Sequence, residues 1–570
     1  MWEELIAVNN NEKGLQDKAP ALAQSLVHVS CITAIAALEL GAFSSSIIFG
    51  SALTITATLV ATLLTRMLFW NRIHSFILVA LPLVIGAFLA IHFTTASSPA
   101  YYVPSTNQTF LHIIDNNQYG YLADSLINGD LSLDLPVSEE LADLPNPYDY
   151  SARYEIASND GAQIYWDYAF YDGEYFSYFG VIPALLLFVP FRIITGAMLS
   201  TPMAIALLGI LYICFAALLT VRFAEQYFPT SITRGSVLIS WMIVIAASNV
   251  FYLGFVSRFY SIPILTSMCI TMLGLWFWLG AKTAPHQSRQ QPPISSARIS
   301  IGTMLMVMNI GCRPQFTLAC FLAVPIFWKE IVKDRVIFSR KYPSISLAII
   351  IPIVIVLVPL LWYNAARFGS PFNIGSNYNL TGFDMTSYNQ DWRNTLLSLF
   401  YYLFQPVDFA RVFPFINATS IPLPYGWAPS EPMFGGLFAL VPGILLCLFV
   451  PYMSRELKSH HVFSLVVLMF IFACITLLLD IRQAGVTQRY FSDFSWYLSF
   501  ISIIILFAMQ ERFRSSTVLK RRAFWSAISA CLLFSIIVGC LSFISPNRYD
   551  SIAELNPSLY SSIESIFTTR

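Results

Sequence analysis

Eleven long apolar runs constrain this chain more than any other feature of its sequence. A helix needs about 20 apolar residues to cross roughly 30 Å of hydrocarbon. The runs lie at residues 22–40, 47–64, 75–95, 202–221, 236–253, 261–279, 345–363, 435–450, 462–479, 495–509 and 522–541. Two shorter runs, at 299–311 and 315–328, are expected to form a pair of short helices joined by a tight connection. The sequence therefore predicts an all-α polytopic membrane protein with about 13 transmembrane helices.

The composition excludes a water-soluble chain of this length. Charged residues make up 11% of the 570 residues and hydrophobic residues 56%, whereas soluble globular proteins contain roughly 25% charged residues. The 32 basic and 32 acidic residues cancel, so nucleic-acid binding has no electrostatic driving force. The nine cysteines lie in or beside apolar runs without metal-ligand spacing. We interpret them as buried thiols and expect neither a disulfide framework nor a zinc site.

Lysine and arginine are concentrated in alternate loops, which predicts the orientation of the chain. Because cytoplasmic loops carry the excess of basic residues, these loops and the N-terminus are predicted to be cytoplasmic, in a bacterial cell membrane. The basic residues concerned are Arg66, Arg72, Arg222, Arg234, Lys282, Arg289, Arg298, Lys329, Lys333, Arg335, Arg340, Lys341, Arg455, Lys458, Arg512, Arg514, Lys520, Arg521 and Arg522. The stretch 178–198 breaks the alternation, and its prolines and Arg192 favour a re-entrant segment over a full crossing.

This orientation divides the chain into five parts. They are 1–96, the cytoplasmic N-terminus with the first three spans; 97–177, the first large outer loop; 178–363, the central bundle with the paired short helices; 364–434, the second large outer loop; and 435–570, the C-terminal helices with an outer tail. The first outer loop carries thirteen acidic residues and one base, Arg153. Because long loops in compact bundles are usually functional, the chemistry of this protein is predicted to lie on the outer face.

Two clusters in the first outer loop are candidate functional sites. Asp115 stands just before a predicted amphipathic helix that begins near Tyr119. An aspartate there can act as a helix N-cap, and this interpretation stays beside a functional one. Further along, Trp166, Asp167 and Asp172 lie among ten aromatic residues between positions 165 and 190. This cluster is typical of an interfacial aromatic belt and equally of a carbohydrate site, and the two interpretations are compatible.

Three further segments place arginines near the predicted outer ends of spans. Arg313 lies between the paired short helices, where a permanent charge is costly and hence a functional candidate; a side chain that snorkels to the interface is the alternative. Arg367 follows a span and precedes a turn. For this residue too, a side chain that snorkels to the interface is the alternative to a functional role. Near position 490, Arg489 and Asp493 could form a structural salt bridge across a helix start. An anionic lipid phosphate would be a natural partner for Arg313, because a guanidinium binds phosphate oxygens bidentately.

Together these segments resemble the C-type (GT-C) glycosyltransferase superfamily, of the glycosyltransferase family 39-like kind. These membrane enzymes take a sugar from a polyprenyl-phosphate carrier on the outer face, and they include protein O-mannosyltransferases and lipid A aminoarabinose transferases. The likeness is best over residues 75–344. It rests on three features. Two are the pattern Y-x-x-x-F-G-x-x-P-A-L-L-L-x-x-P from Tyr175 to Pro190 and the paired short helices around Arg313. The third is a pattern in the first outer loop formed by Asp115, Tyr119, Leu122, Ala123, Ser125, Leu126, Gly129 and Leu131.

The resemblance implies a reaction and a role for each candidate residue. Asp115 would be the general base, and Arg313, with Arg258 or Arg367 as a second, would hold the donor phosphate. The implied sugar or acceptor contacts are Tyr119, Trp166, Asp167 and Asp172. The donor would be a polyprenyl-phosphate-linked sugar, and the acceptor a cell-envelope glycan, a lipid or a protein.

The sequence departs from the family where a second outer-loop acid would stand. Ser257-Arg258-Phe259 occupies that place, and Asn116 follows Asp115 where the family often has a glutamate. No cofactor is therefore predicted with certainty, and a divalent metal stays an open alternative without a second matched acid. Two other functions also stay open: a transporter or flippase of a lipid-linked saccharide, and a non-catalytic membrane protein of envelope assembly. A transporter usually shows inverted repeats, and the sequence shows none.

Overall fold

The computed structural model describes residues 74–96, 115–282, 294–426, 428–546, 548 and 550–568. The predicted spans at 22–40 and 47–64 lie outside the described residues, as do the basic residues Arg66, Arg72 and Arg289. The statements that follow concern the described residues only.

The described chain is mostly helical. The first eight α-helices are α1 His74–Ala96, α2 Gln118–Asn128, α3 Glu139–Ala142, α4 Tyr150–Asn159, α5 Val189–Thr195, α6 Thr201–Tyr227, α7 Arg234–Ala247 and α8 Val250–Phe255. The next six are α9 Ser261–Ala281, α10 Ser296–Met308, α11 Ala323–Ile326, α12 Pro343–Phe368, α13 Arg393–Leu403 and α14 Leu437–Leu440. The last six are α15 Ser454–Ser459, α16 Phe463–Ala484, α17 Phe491–Arg512, α18 Val518–Ile544, α19 Ile552–Leu555 and α20 Pro557–Thr568.

Shorter regular segments join these helices. The 3₁₀ segments are Asn309–Gly311, Pro314–Leu322, Ser376–Tyr378, Pro442–Phe449, Gln488–Tyr490 and Phe513–Ser515. The π-helical segments are Ala184–Phe188 and Lys329–Lys333. Two small antiparallel hairpins pair β1 Ala169–Tyr171 with β2 Glu174–Phe176, and β3 Asp408–Phe409 with β4 Ile416–Asn417.

Six described helices are long and apolar enough to cross a membrane, which confirms the polytopic helical class. They are Thr201–Tyr227, Ser261–Ala281, Pro343–Phe368, Phe463–Ala484, Gln488–Ser515 and Val518–Ile544. The predicted total of about 13 crossings stays a prediction. The apolar part of Gln488–Ser515 is wholly buried within the protein, whereas little of the apolar part of α18 is buried. Along α12 the apolar side chains of Ile351, Val354 and Trp362 are exposed, as expected of a helix that faces lipid.

One predicted span is broken in the structure. The run 236–253 forms α7 and α8, separated at Asn249, whose φ is +62°. Asparagine tolerates this left-handed conformation better than most residues. The carbonyls at the break accept hydrogen bonds from Ser492 Oγ (to Ser248 O, 3.0 Å) and from Ser495 Oγ (to Ala247 O, 2.7 Å). Irregular backbone at membrane depth is tolerated where protein groups satisfy it in this way.

The run 435–450 is also broken, since a helical turn at α14 gives way to the 3₁₀ segment Pro442–Phe449. Proline at position 442 lacks the amide that would continue α14 and disfavours the α conformation at Val441.

The predicted re-entrant stretch contains only one short helical piece. Ala184–Phe188 and α5 together span 12 residues, roughly 18 Å at a rise of 1.5 Å per residue, which is too short to cross about 30 Å of hydrocarbon. Exposed apolar side chains on this piece include Leu185, Ile193 and Ile194. Arg192 forms an ion pair with Asp124 of α2 (Nε to Oδ1, 2.7 Å), so the piece is docked against the amphipathic helix of the first outer loop.

The two outer loops pack on each other. The backbone of Asp167 donates to Leu380 O (3.0 Å), and Leu380 N donates to Tyr168 O (2.9 Å). The buried Arg153 donates to Pro147 O (2.7 Å) and to Thr381 O. The described parts of the two predicted outer loops are therefore joined by hydrogen bonds, which bring Asp167 beside the second loop.

Candidate functional site

Asp115 lies ahead of α2 and is held by two hydrogen bonds. Its Oδ1 accepts the backbone N–H of Asn117 (2.7 Å), and its Oδ2 accepts the hydroxyl of Tyr121 (2.7 Å). Asn117, not Asp115, occupies the N-cap position of α2, and no side chain caps that helix. The N-cap interpretation of Asp115 is therefore replaced by that of a local turn before the helix. The carboxylate is half-buried, which leaves it room to meet a ligand.

The phenol beside Asp115 stays protonated at ordinary pH. Burial, followed by the hydrogen bond to Asp115, raises the pKa of Tyr121 to about 12. Tyr121 therefore donates its proton to the Asp115 carboxylate and holds the orientation of that carboxylate without competing for a proton.

Asp167 joins three parts of the molecule. It is buried, with a φ of +60°, a conformation that costs free energy for a residue other than glycine and is often found at functional sites. Its Oδ2 accepts the hydroxyl of Tyr260, and its Oδ1 accepts Asn379 Nδ2 (3.1 Å). Its carbonyl accepts Gln118 Nε2 at the start of α2 (3.2 Å). Both carboxylate oxygens are thus occupied, which favours a positioning role for Asp167 over direct contact with a sugar.

Arg313 is bound by carboxylates from two helices. Its Nε lies 2.9 and 2.8 Å from the two carboxylate oxygens of Asp493, and its Nη2 also contacts that group. The same Nη2 lies 3.9 Å from Asp480 Oδ1. Arg313 therefore does not snorkel as an isolated cation. The expected pair of Arg489 with Asp493 is not the principal one, because Arg313 takes Asp493, whereas Arg489 lies 3.6 Å from Glu431.

Tyr490 and Tyr260 connect these groups into one network. The guanidinium groups of Arg313 and Arg489 lie 4.8 and 5.2 Å from the ring centre of Tyr490. Arg489 also lies 4.6 Å from the ring of Tyr260, whose hydroxyl binds Asp167. Cation–π contacts of this kind are strongest when desolvated. The sequence clusters around Asp167, Arg313 and Arg489 thus meet in one polar region within the bundle.

Arg367 and Arg153 are buried arginines whose guanidinium groups contact carbonyls and rings, with no ion pair found for either among the described residues. Of the two, Arg367 is hydrogen-bonded to the segment that reaches the start of α2. Arg367 is 6% exposed. Its Nη1 donates to Ser177 O (2.6 Å) and its Nη2 to Asn364 Oδ1 (3.1 Å), and it lies 3.8 Å from the Tyr363 ring centre. Its Nε–H has no acceptor within the described part of the chain. A buried cation with an unused donor is well suited to bind an anion.

A hydrogen-bonded path leads from Arg367 to the start of α2. Ser177, whose carbonyl accepts from Arg367, donates its hydroxyl to Gln118 Oε1 (3.3 Å). Gln118 is the third residue after Asp115 and also binds Asp167 O. Arg367 and the Asp167 network are therefore connected by hydrogen bonds through Ser177 and Gln118, and the predicted base Asp115 stands three residues before Gln118 in the chain.

The other predicted site residues lie in different surroundings. Arg258 is in the segment between α8 and α9, where the neighbouring Phe259 N donates to Asn116 Oδ1 (3.4 Å), so this segment lies beside Asp115. Tyr119 is fully buried, with its hydroxyl 3.4 Å from Gly180 O and its ring stacked on Phe188. Trp166 is half-buried, edge-on to Tyr150.

Asp172 is exposed in the tight turn that joins β1 to β2. Its φ is +52° and that of Gly173 is +79°, as the type I′ turn of an Asp-Gly hairpin requires. Turn geometry explains this residue, and the structure does not bring Asp172 into the buried network. Tyr119 is likewise explained by packing.

Four residues that the sequence did not single out as site residues belong to the network. They are Gln118, Tyr260, Asn379 and Asp480. Asp480 gave the clearest signal, because an aspartate near the end of an apolar run needs a partner. The other three are ordinary polar residues in loops or at helix starts, and the sequence contains no pattern that marks them.

No set of three metal-ligating side chains is found within the described residues. The acids of the network face arginines, a phenol and an amide, and this donor set does not favour a bound metal. The alternative of a divalent metal thus gains no ligand set from the described structure.

No family model matches this chain, and no curated protein matches it. Solved structures similar to it include ArnT from Cupriavidus metallidurans bound to undecaprenyl phosphate, at 11% identity over 85% of this chain and 69% of that chain, with a TM-score of 0.38. They also include the Archaeoglobus fulgidus oligosaccharyltransferase in the apo form, at 12% identity over 80% of this chain and 55% of that one, with a TM-score of 0.41. This chain thus spans little more than half the length of the oligosaccharyltransferase. Because both TM-scores lie below 0.5, these two structures do not support a particular function for this chain. The proposed function therefore depends on the chain's own residues.

Proposed function

We propose that this protein is a membrane glycosyltransferase that moves a sugar from a polyprenyl-phosphate carrier to an acceptor on the outer face of the membrane. The acceptor is a cell-envelope glycan, a lipid or a protein. The observation that carries the proposal is a half-buried carboxylate, Asp115, placed three residues before Gln118, whose side chain is linked through Ser177 to a buried arginine with an unused donor, Arg367. A base and a phosphate ligand are the two groups that this chemistry needs.

In the proposed reaction Asp115 takes the proton of an acceptor hydroxyl. The acceptor oxygen forms a bond to the anomeric carbon of the sugar as the bond from that carbon to the phosphate oxygen breaks. The electron pair leaves with polyprenyl phosphate, and a cation must stabilise the negative charge that develops there. Tyr121 supports Asp115, because a phenol that stays protonated holds the carboxylate in one orientation.

Arg367 is the arginine we assign first to the leaving phosphate. Its Nε–H is unused, and it lacks a carboxylate ion-pair partner in the described structure. Arg313 is bound bidentately by Asp493, so a phosphate there would have to compete with that carboxylate. Phosphate binding by Arg313, and by Arg258 beside Asn116, stays a prediction.

Replacement of Asp115 tests the proposed base. Asp115→Asn keeps an oxygen that can accept the Asn117 amide, so the turn before α2 and the thermal stability should be preserved. The amide cannot take up a proton, so transfer of labelled sugar from polyprenyl phosphate by the purified protein should fall by about 10²–10⁴-fold.

Asp130→Asn is the matched control, because Asp130 is exposed just beyond the same helix. Asp124 is less suitable, since it pairs with Arg192. Full transfer by Asp115→Asn, or an equal loss in Asp130→Asn, would refute the role of Asp115 as base.

A further inference from the structure

A separate cleft opens between the second outer loop and the end of α16. It is a cavity of about 430 Å³, and the residues that line it are Phe383, Tyr388, Asn389, Gln390, Asp391, Trp392, Gly426 and Arg482. This volume lies within the range of small-molecule sites, about 300–1,000 Å³. The reaction proposed above assigns no role to any of these residues.

We propose that this cleft binds an uncharged saccharide. The inference rests on the proposed function only where it identifies that saccharide as part of the acceptor. Sugar sites combine an aromatic face, against which a pyranose ring packs, with planar polar groups that exchange hydrogen bonds with hydroxyls. The cleft supplies both.

Trp392 provides the aromatic face. Its side chain is 76% exposed at the mouth of the cleft, directly before α13. An exposed tryptophan can also anchor a protein at the membrane interface. Here, however, it stands among amides and charged groups that a sugar would use, and we therefore favour the saccharide.

Gln390 provides the second, independent observation. It is 1% exposed, and within the described structure neither its Nε2 nor its Oε1 has a hydrogen-bond partner. Buried amides are nearly always paired, and this one lines the cavity. One donor and one acceptor held together in a buried position match a hydroxyl group, which also donates and accepts.

The charges of the cleft cancel, which decides the class of saccharide. Arg482 donates to Gln390 O (2.5 Å) and to Asn389 Oδ1 (2.9 Å). Asp391 is bound by Arg393 through Nε and Nη2 (3.0 and 2.6 Å), and these bonds lower the pKa of Asp391 to about 2, so it stays ionised. The two charged residues that line the cleft, Asp391 and Arg482, have opposite signs and interact electrostatically, so the lining has no net charge with which to select a phosphate or a uronic acid.

The cleft lies toward the Arg313 part of the polar network. Tyr388, which lines the cleft, lies close enough to Tyr490, the ring shared by Arg313 and Arg489, for the two phenols to interact electrostatically. Arg482 of the cleft and Asp480, which contacts Arg313, both belong to α16. A saccharide in the cleft would therefore lie on the Arg313 side of this network.

An array of uncharged gluco-, manno- and galacto-oligosaccharides, with acidic oligosaccharides for comparison, tests the proposal. The full-length protein in nanodiscs is applied without donor, so no turnover is needed. We expect binding of at least one uncharged oligosaccharide, weakened at least about tenfold in Trp392→Ala and in Gln390→Met. Gln390→Met should also be as stable as the wild type or more so, because it removes an unpaired buried amide.

One control variant and one comparison with transfer separate this proposal from the proposed reaction. Phe372→Ala removes an exposed aromatic side chain of the same loop outside the cleft and should bind normally. Binding without any sugar transfer by the wild type would refute the proposed reaction and leave this inference standing. Failure of every uncharged oligosaccharide to bind, binding of acidic ones alone, or unchanged binding by both cleft variants would overturn the inference and return Trp392 to a membrane anchor.

Discussion

Buried arginines in this protein differ in what lies against the guanidinium. Arg313 and Arg548 face carboxylates: Arg313 binds Asp493, and Arg548 binds Asp550 through two nitrogens at 2.8 and 2.9 Å. Arg367 faces carbonyl groups and aromatic rings. A buried arginine with a bound carboxylate is electrically balanced, whereas one without a carboxylate is ready for an anion from outside. The two kinds predict different results on substitution.

Arg313→Ala should destabilise the protein by about 3–5 kcal/mol, because it leaves Asp493 buried and unpaired. Arg393→Ala is the matched control, since it removes an exposed bidentate pair with Asp391 and should change the stability little, because water screens exposed ion pairs. Unfolding of purified variants measures both, and wild-type stability in Arg313→Ala would contradict the description of the pair.

Arg367→Lys should fold and should bind polyprenyl phosphate more weakly, by roughly tenfold or more. Lysine keeps the charge and lacks the planar fork, so the contacts to Ser177 O and to a phosphate cannot both be made. Titration of the purified protein with polyprenyl phosphate gives the affinity, with the exposed Arg411→Lys of the same loop as control. Equal affinity in the wild type and in both variants would leave Arg367 a purely structural residue.

Among the structural elements, the re-entrant stretch depends on one close backbone contact. A Cβ at Gly180 would lie 2.0 Å from Gly311 O, in the connection that leads to Arg313. Only glycine permits this approach. The contact fixes the end of the first outer loop, including Ser177, against the paired short helices, and so it sets the position of the path to Arg367.

Gly180→Ala should therefore destabilise the protein by about 1–3 kcal/mol or more, as overpacking does, and should lower sugar transfer. Gly539→Ala is the control, because a Cβ there meets no atom within 4 Å and lies in α18, where alanine is favoured by about 1 kcal/mol. The comparison uses thermal unfolding and transfer by the same preparations. Equal stability of Gly180→Ala and Gly539→Ala would show that the close approach does not constrain the site.

At the scale of the whole molecule, the sequence predicts the helices better than their breaks. Apolar length and composition suffice for spans such as 202–221 and 462–479, because a long apolar helix needs only lipid or other helices around it. The break at Asn249 depends on distant partners, Ser492 and Ser495, and periodicity along one segment carries no information about such partners. The break at Pro442 is explained by the proline itself.

The same distinction applies to the site. Asp115, Asp167, Arg313 and Arg367 are candidates that the sequence indicates, because charges and aromatic clusters beside apolar runs are unusual. The sequence does not indicate how these residues pair, because Asp493 is 180 residues from Arg313 along the chain and Asn379 is 212 residues from Asp167. The folded bundle determines which arginine lies against a carboxylate, as Arg313 does, and which does not, as with Arg367.

Product analysis in proteoliposomes tests the central claim most directly. The purified protein is reconstituted with a polyprenyl-phosphate-linked labelled sugar and a membrane extract that contains acceptors, and the products are identified by mass spectrometry. The account predicts free polyprenyl phosphate in equal amount to the glycosylated acceptor, with both absent in Asp115→Asn. Movement of the intact lipid-linked sugar to the other leaflet, without release of polyprenyl phosphate, would contradict glycosyl transfer and indicate a transporter.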